Sequence, residues 1–172
     1  DGGLFSIDFR AQERLAQLIC QVAGRSGRAG FNGEVVIQTY HPEHDFFQTL
    51  LRQGYAHYIA KVLQQRTDLS LPPVSFMALL SSESKLYERS EYFLNDAKRF
   101  LLGLKRDGLN VLGPVPAPIS KRRDHFRGQL LIQAPSRVLL QESVRPLVRG
   151  LSAYSSARKV RWSIDIDPLD LL

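Results

Sequence analysis

A chain of 172 residues, 44% hydrophobic and 23% charged, has the make-up of one ordinary domain or two small ones, and not of a disordered or fibrous protein. Its net charge of +6 is unevenly placed. Residues 1–68 hold seven basic and seven acidic side chains, whereas residues 69–172 hold the other 16 basic and 10 acidic ones. Such an asymmetry points to a polyanionic partner, most simply nucleic acid, or to nothing more than a soluble basic domain.

In chain order, Ala11, Leu15, Leu18, Ile19 and Val22 recur at helical spacing and predict a helix over 10–23, with Gly24 as its stop. A loop with several glycines follows, and Glu34-Val35-Val36-Ile37-Gln38 reads as a buried strand. Phe47, Leu50, Leu51, Gly54, Tyr58, Ile59 and Val62 predict one face of a second helix over 46–65. Leu71-Pro72-Pro73 cannot continue a helix, so a boundary is expected between Asp68 and Pro73.

Beyond it, Val74–Leu80 is a strand candidate, and Ser84 a candidate cap for a long helix with Leu86, Phe93, Leu94, Ala97, Leu101 and Leu104 inward. Val111-Leu112 starts a short strand that the run Gly113-Pro114-Val115-Pro116-Ala117-Pro118 should break. Residues 126–133 read as another strand, Ser136 as the cap of a helix running to about Ala153, and Val160, Trp162, Ile164 and Ile166 as alternate positions of a half-buried strand. Strand, helix, strand, strand, helix, strand is the split βαβ order, an antiparallel sheet with two helices on one face.

The most informative stretch is Gln21-Val22-Ala23-Gly24-Arg25-Ser26-Gly27-Arg28-Ala29-Gly30. Glycines allow close backbone approach to a ligand. A planar, permanently charged guanidinium suits phosphate oxygens, and a positioned arginine accelerates phosphoryl transfer by about 10³–10⁵. Gln21 lies one helical turn before Arg25 and can address the same ligand. The competing reading is a glycine-rich turn whose arginines pair with local carboxylates.

Gln21, Gly24, Arg25, Gly27 and Arg28 in this spacing resemble the last helicase motif of superfamily 2. The flanking stretches 1–14, 33–39, 71–73, 111–117, 135–137, 158–162 and 165–168 resemble the primosomal protein N′ (PriA) family of bacterial replication-restart helicases, over essentially the whole chain. That resemblance implies an α/β remnant of a second RecA-like lobe in residues 1–68 and an α+β DNA- and partner-binding domain in residues 69–172. It implies a cytoplasmic, ATP-dependent 3′–5′ DNA helicase that recognises stalled or abandoned forks and initiates primosome reassembly. Arg25 and Arg28 would complete the ATP site, with Arg28 as the arginine finger and Gln21 and Gly24 beside the nucleotide.

The phosphate-binding loop, the acidic Mg²⁺ motif and the family's cysteine-rich zinc insertion are all missing from these residues. The chain, which opens on Asp1-Gly2-Gly3 without a methionine, is therefore expected to be an inactive piece of a longer enzyme. ATP, Mg²⁺ and zinc would belong to the full-length protein, with zinc ligands outside this segment and nothing bound here.

In the basic half, Lys121, Arg122, Arg123 and Arg127 cluster between two strand candidates with His125 and Phe126 interleaved, and Lys159 and Arg161 lie with Arg158 by the last strand. Cations on strand-joining loops grip phosphates without reading bases, and aromatic neighbours stack on unpaired ones; a solvated hairpin tip is the alternative. Arg137 opens a helix, where the N-terminus attracts anions. It is either an ordinary exposed first-turn arginine or, by the resemblance, a holder of the acidic C-terminal tail of single-strand-binding protein. Branched and single-stranded DNA, that tail and other primosome proteins are the implied partners. A stand-alone basic nucleic-acid-binding module, or a scaffold for acidic protein tails, each without ATPase role, are the rival readings.

Other groups promise less. His41, His44 and His57, with Glu43 and Asp45, read as helix-start residues and not as metal ligands. Asp165, Asp167 and Asp170 read as solvated edge charges, the first two on one strand face. Cys20, the single cysteine, excludes an intrachain disulfide, agrees with a reducing cytosol, and reads as packed rather than reactive. No apolar run reaches membrane-spanning length, and the first residues carry no basic-then-apolar targeting pattern.

Overall fold

A computed structural model describes residues 1–6, 8–26, 34–122, 124–151 and 153–169, and of Arg122 the backbone only. The chain divides into two compact units, Asp1–Asp68 and Leu69–Leu172.

The first unit begins with a helix set by Asp8. Its Oδ1 accepts the Arg10 N–H at 3.0 Å, and its Oδ2 lies 3.1 Å from the Arg14 guanidinium. Helix α1 then spans Ala11–Ser26 and runs straight through Gly24, correcting the expected stop. One interior glycine costs only about 1 kcal/mol relative to alanine, too little to end a helix by itself. Leu18 and Val22 are about half exposed, so the buried face is narrower than the spacing implied.

The expected strand at 34–38 is not formed. Residues 34–39 take no regular secondary structure, with Val35 and Ile37 half-buried and Val36 exposed, and no strand pairs with them among the described residues. Alternation makes a residue run eligible for a sheet; a hydrogen-bonded neighbour makes it a strand.

Helix α2, Asp45–Asp68, is interrupted at Gly54, whose φ of 83° is a region that L side chains avoid. The break resets the helical phase. Phe46, Phe47 and Leu50 before it and Tyr58 after it are buried with Leu4 and Ala16, while Leu51, expected inside, is exposed. Cys20 and Ile19 pack at the margin of this cluster.

The second unit is a four-stranded sheet backed by two helices: β1 Phe76–Ser84, α3 Tyr87–Gly103, β2 Asn110–Arg122, β3 His125–Ala134, α4 Arg137–Leu151, a 3₁₀ turn at Ala157–Lys159, and β4 Arg161–Ile166. Its spatial order is β2-β3-β1-β4, and every neighbouring pair is antiparallel, as the split βαβ order predicts. Alternate residues Ala78, Leu80, Leu130, Ile132 and Ala134 meet Phe93, Leu94, Ala97 and Leu101 of α3 and Leu140, Val144, Leu147 and Leu151 of α4. Burial of each such leucine or phenylalanine contributes about 1.5–3 kcal/mol.

Three local expectations change. Strand β1 starts two residues later than expected and runs to Ser84, which is therefore the last strand residue and not a helix cap. Its Oγ accepts the Leu86 N–H at 3.4 Å, and Leu86 takes the cap position without a side-chain bond. Strand β2 continues through its prolines instead of breaking, because it is an edge strand whose outward N–H groups need no partner. The irregularity appears as register shifts after Leu112 and Pro116. Ser136, by contrast, does cap α4, its Oγ accepting the Leu139 N–H at 3.2 Å.

Candidate nucleic-acid interface

Antiparallel order gathers the end of β1, the start of α3, the β2–β3 hairpin and the start of β4 at one end of the sheet. Sequence positions that are far apart thereby become neighbours: Lys85, Arg89, Lys121, Arg122, Arg127, Lys159 and Arg161, opposed by Glu83, Glu88, Glu91 and Asp124.

The helices cover one face of the sheet and leave the other to the odd-numbered positions of β1 and β3. On that open face Glu83 stands directly opposite Arg127 on β3 and Arg161 on β4. Strands lie about 4.8 Å apart, so the two arginine backbones are roughly 10 Å apart across the glutamate. Neither arginine enters an ion pair among the described residues. They edge a hollow of about 290 Å³ that Ser81 and Ser163 also line.

The hairpin tip is more self-contained. Lys121 lies 3.5 Å from the Asp124 carboxylate and 5.3 Å above the Phe126 ring, and Phe126 meets Tyr87 of α3 edge-on at 6.2 Å. Phe126 therefore buttresses the tip from the helix side. Arg122 pairs with His125 in the ladder, and Arg123 lies outside the described residues. Lys159 is exposed on the 3₁₀ turn, where it borders a second hollow of about 350 Å³ with Arg89, Tyr92 and Ser155.

At the opposite end of the sheet Arg137 opens α4, with Nη2 3.0 Å from Asp167 Oδ2 and its guanidinium 5.3 Å from the Phe76 ring centre. Asp167 has left the strand, which ends at Ile166, and takes a φ of 54°. It does not share a strand face with Asp165, correcting that expectation, and Asp170 lies outside the described residues.

In the first unit Gln21, Gly24 and Arg25 all sit exposed in the last turns of α1, and Arg25 enters no ion pair among the described residues. Arg28 lies outside the described residues. His44 Nδ1 accepts the Phe46 N–H at 3.1 Å at the start of α2, and the Phe5 ring packs edge-on to His41 and His44.

Sequence reasoning missed Glu83 as the residue between two arginines and Arg89 as a neighbour of Lys159. Only strand register reveals the first, because Ser81, Ser82, Glu83 and Ser84 are all polar and show no alternation.

An antiparallel four-stranded sheet with two helices on one face and cations at its hairpin end is a basic α+β domain of the split βαβ class. Residues 67–169 match the family described as Primosomal protein N C-terminal domain, and the chain belongs to that family. Replication restart protein PriA of Haemophilus influenzae is 44% identical over 99% of this chain and 23% of its own length. The proteins of the same name from Synechocystis sp. and Treponema pallidum are 34% and 32% identical, over 95% and 100% of this chain and 19% and 26% of theirs. The chain thus spans about a quarter of the length of these relatives or less.

Proposed function

We propose that this chain is the C-terminal part of an ATP-dependent 3′–5′ DNA helicase that recognises stalled forks and initiates primosome reassembly in the cytoplasm. The relatives' name, replication restart protein PriA, over almost the whole chain is the observation that carries it. In this reading Asp1–Asp68 ends a second RecA-like lobe. Gln21, Gly24 and Arg25 at the exposed end of α1, with Arg28 just beyond, face a nucleotide whose phosphate loop and Mg²⁺ ligands lie elsewhere in the protein. A helix end carrying an exposed guanidinium with no ion pair among the described residues is chemically suited to a terminal phosphate. Zinc, with one cysteine here, would be held entirely by other residues.

The second unit binds DNA through its hairpin end. Arg127 and Arg161 supply the open face, and Lys121, Arg122, Arg123 and Lys159 flank it. Arg137 holds the carboxylate-rich tail of single-strand-binding protein at the opposite end; other primosome proteins complete the partner set.

Two measurements test this reading. In the full-length protein Arg28→Ala should lower DNA-stimulated ATP turnover by a factor of the order of 10³ while leaving DNA affinity intact. Normal turnover would remove the arginine finger. For the 172-residue chain, fork-DNA affinity should fall steeply with salt, because phosphate contacts release counterions. Absence of DNA binding at low salt would favour a scaffold for acidic tails.

A further inference from the structure

The open face of the sheet is graded along the strands. One row runs Leu112, Leu131, Leu79 and Asp165 across β2, β3, β1 and β4, apolar in its first three members and ending on a carboxylate at the β4 edge. Two residues along, about 7 Å, lies a polar row with Val115 opposite Gln129 and Gln129 opposite Ser81; the arginine row of Arg127, Glu83 and Arg161 follows after the same step. The leucine row borders a hollow of about 200 Å³ closed by Val115 and Gln129, next along the face from the 290 Å³ hollow edged by the arginines. Gln129, 8% exposed, brings an amide to the border of the hollow, a donor and an acceptor in one group, whose side chain makes no hydrogen bond among the described residues. The segment before β1 closes the face at its far end, where the Gln133 amide donates to Ser75 Oγ at 3.1 Å and to the Ser70 carbonyl.

We propose that this face seats an unpaired nucleotide of a DNA strand, its base in the Leu79–Leu112–Leu131 hollow against the Gln129 amide and its phosphates on Arg127 and Arg161. The proposal rests on the DNA-binding reading above and adds a base contact to it. Charge complementarity selects the occupant: Arg127 and Arg161, with no ion pair among the described residues, outnumber the one glutamate between them. They stand beside an apolar hollow whose only flanking carboxylate among the described residues, Asp165, lies at the β4 edge, and one strand repeat from an amide that can meet a base edge. A duplex offers only its phosphates to such a surface, because its bases are stacked inside. An unpaired strand offers both chemistries at once, and base contacts with apolar and π surfaces tolerate any sequence.

The test compares oligodeoxythymidylate with an abasic deoxyribose-phosphate strand of equal length, bound to the 172-residue chain at low salt and followed by fluorescence anisotropy. The thymidylate strand should bind about fivefold or more tightly. In Leu112→Ser/Val115→Ser, which alters two side chains each 53% exposed and so spares the fold, that advantage should vanish while abasic affinity stays constant. Equal binding of both strands by the wild-type chain would overturn the base hollow and leave phosphate binding at the hairpin end standing. An advantage that survives in the double variant would place base recognition elsewhere and equally overturn the proposal. If neither strand binds, the DNA-binding reading falls with it.

Discussion

At the hairpin end of the sheet Arg127 and Arg161 flank a single Glu83 with no ion pair among the described residues, whereas at the other end Arg137 is held 3.0 Å from Asp167 over the Phe76 ring. Both ends are arginine sites, yet they suit different anions. Several uncommitted cations spread over strands fit a polymer whose phosphates arrive together, and their binding weakens steeply with salt. One cation already satisfied by an exposed carboxylate fits an exchange, in which an incoming carboxylate replaces the resident one at little net cost. Total charge, the same +6 in either case, does not separate them; the local pairing does.

The comparison breaks first at the open face. Reversing both charges there, Arg127→Glu/Arg161→Glu, should lower single-strand DNA affinity by about tenfold or more at low salt. It should also make the slope of log affinity against log salt shallower by about 1.4, the value for two lost phosphate contacts. Titrations at several salt concentrations read both numbers, and acidic-peptide binding at Arg137 should be unchanged. A loss of affinity with an unaltered slope would mean that the pair acts by folding and not by contact.

Gly128 sharpens the same contrast through packing. A Cβ there would lie 2.8 Å from Leu94 Cδ1 and 3.1 Å from Ser90 Oγ, so any larger residue forces these two buried side chains of α3 to shift. Gly128→Ala should destabilise this unit by about 1–3 kcal/mol in denaturant unfolding, the usual cost of overpacking. Smaller still is the expected effect of Lys121→Ala. Lys121 already shares its charge with Asp124, so DNA affinity should fall only about two- to threefold, as is usual for a partly paired surface cation. A tenfold loss would make the hairpin tip, and not the open face, the main phosphate site.

The second unit was legible in the sequence because its information is local. Alternation in 160–166, the Ser136 cap and the periodicity of Phe93, Leu94, Ala97 and Leu101 each reflect contacts made within one element or with one neighbour. Where the reading failed, a neighbour decided. Residues 34–38 have the pattern of a strand but no described partner, and the 113–118 prolines were tolerated because β2 lies at an edge, which is a fact of topology. The site divides the same way. The cations were visible one by one; their grouping around Glu83, and the capture of Arg137 by Asp167, depend on register and on a residue with positive φ, neither of which periodicity encodes.

The Arg137–Asp167 pair allows the finest cut between the two ends. Both side chains are about half exposed, so the pair contributes roughly 0.2–1 kcal/mol, and an acidic peptide with a free C-terminus must displace Asp167 to reach the guanidinium. Asp167→Asn removes the resident charge and keeps the side chain's size. It should therefore tighten acidic-peptide binding by up to about fivefold and leave DNA affinity at the hairpin end unaffected, both measurable by anisotropy on the same preparation. Arg137→Ala should abolish the peptide signal, which ties the effect to this arginine. Weaker peptide binding in Asp167→Asn would reverse the interpretation: Asp167 would then orient Arg137 for the peptide instead of competing with it, and the two ends of the sheet would differ in pre-organisation rather than in occupancy.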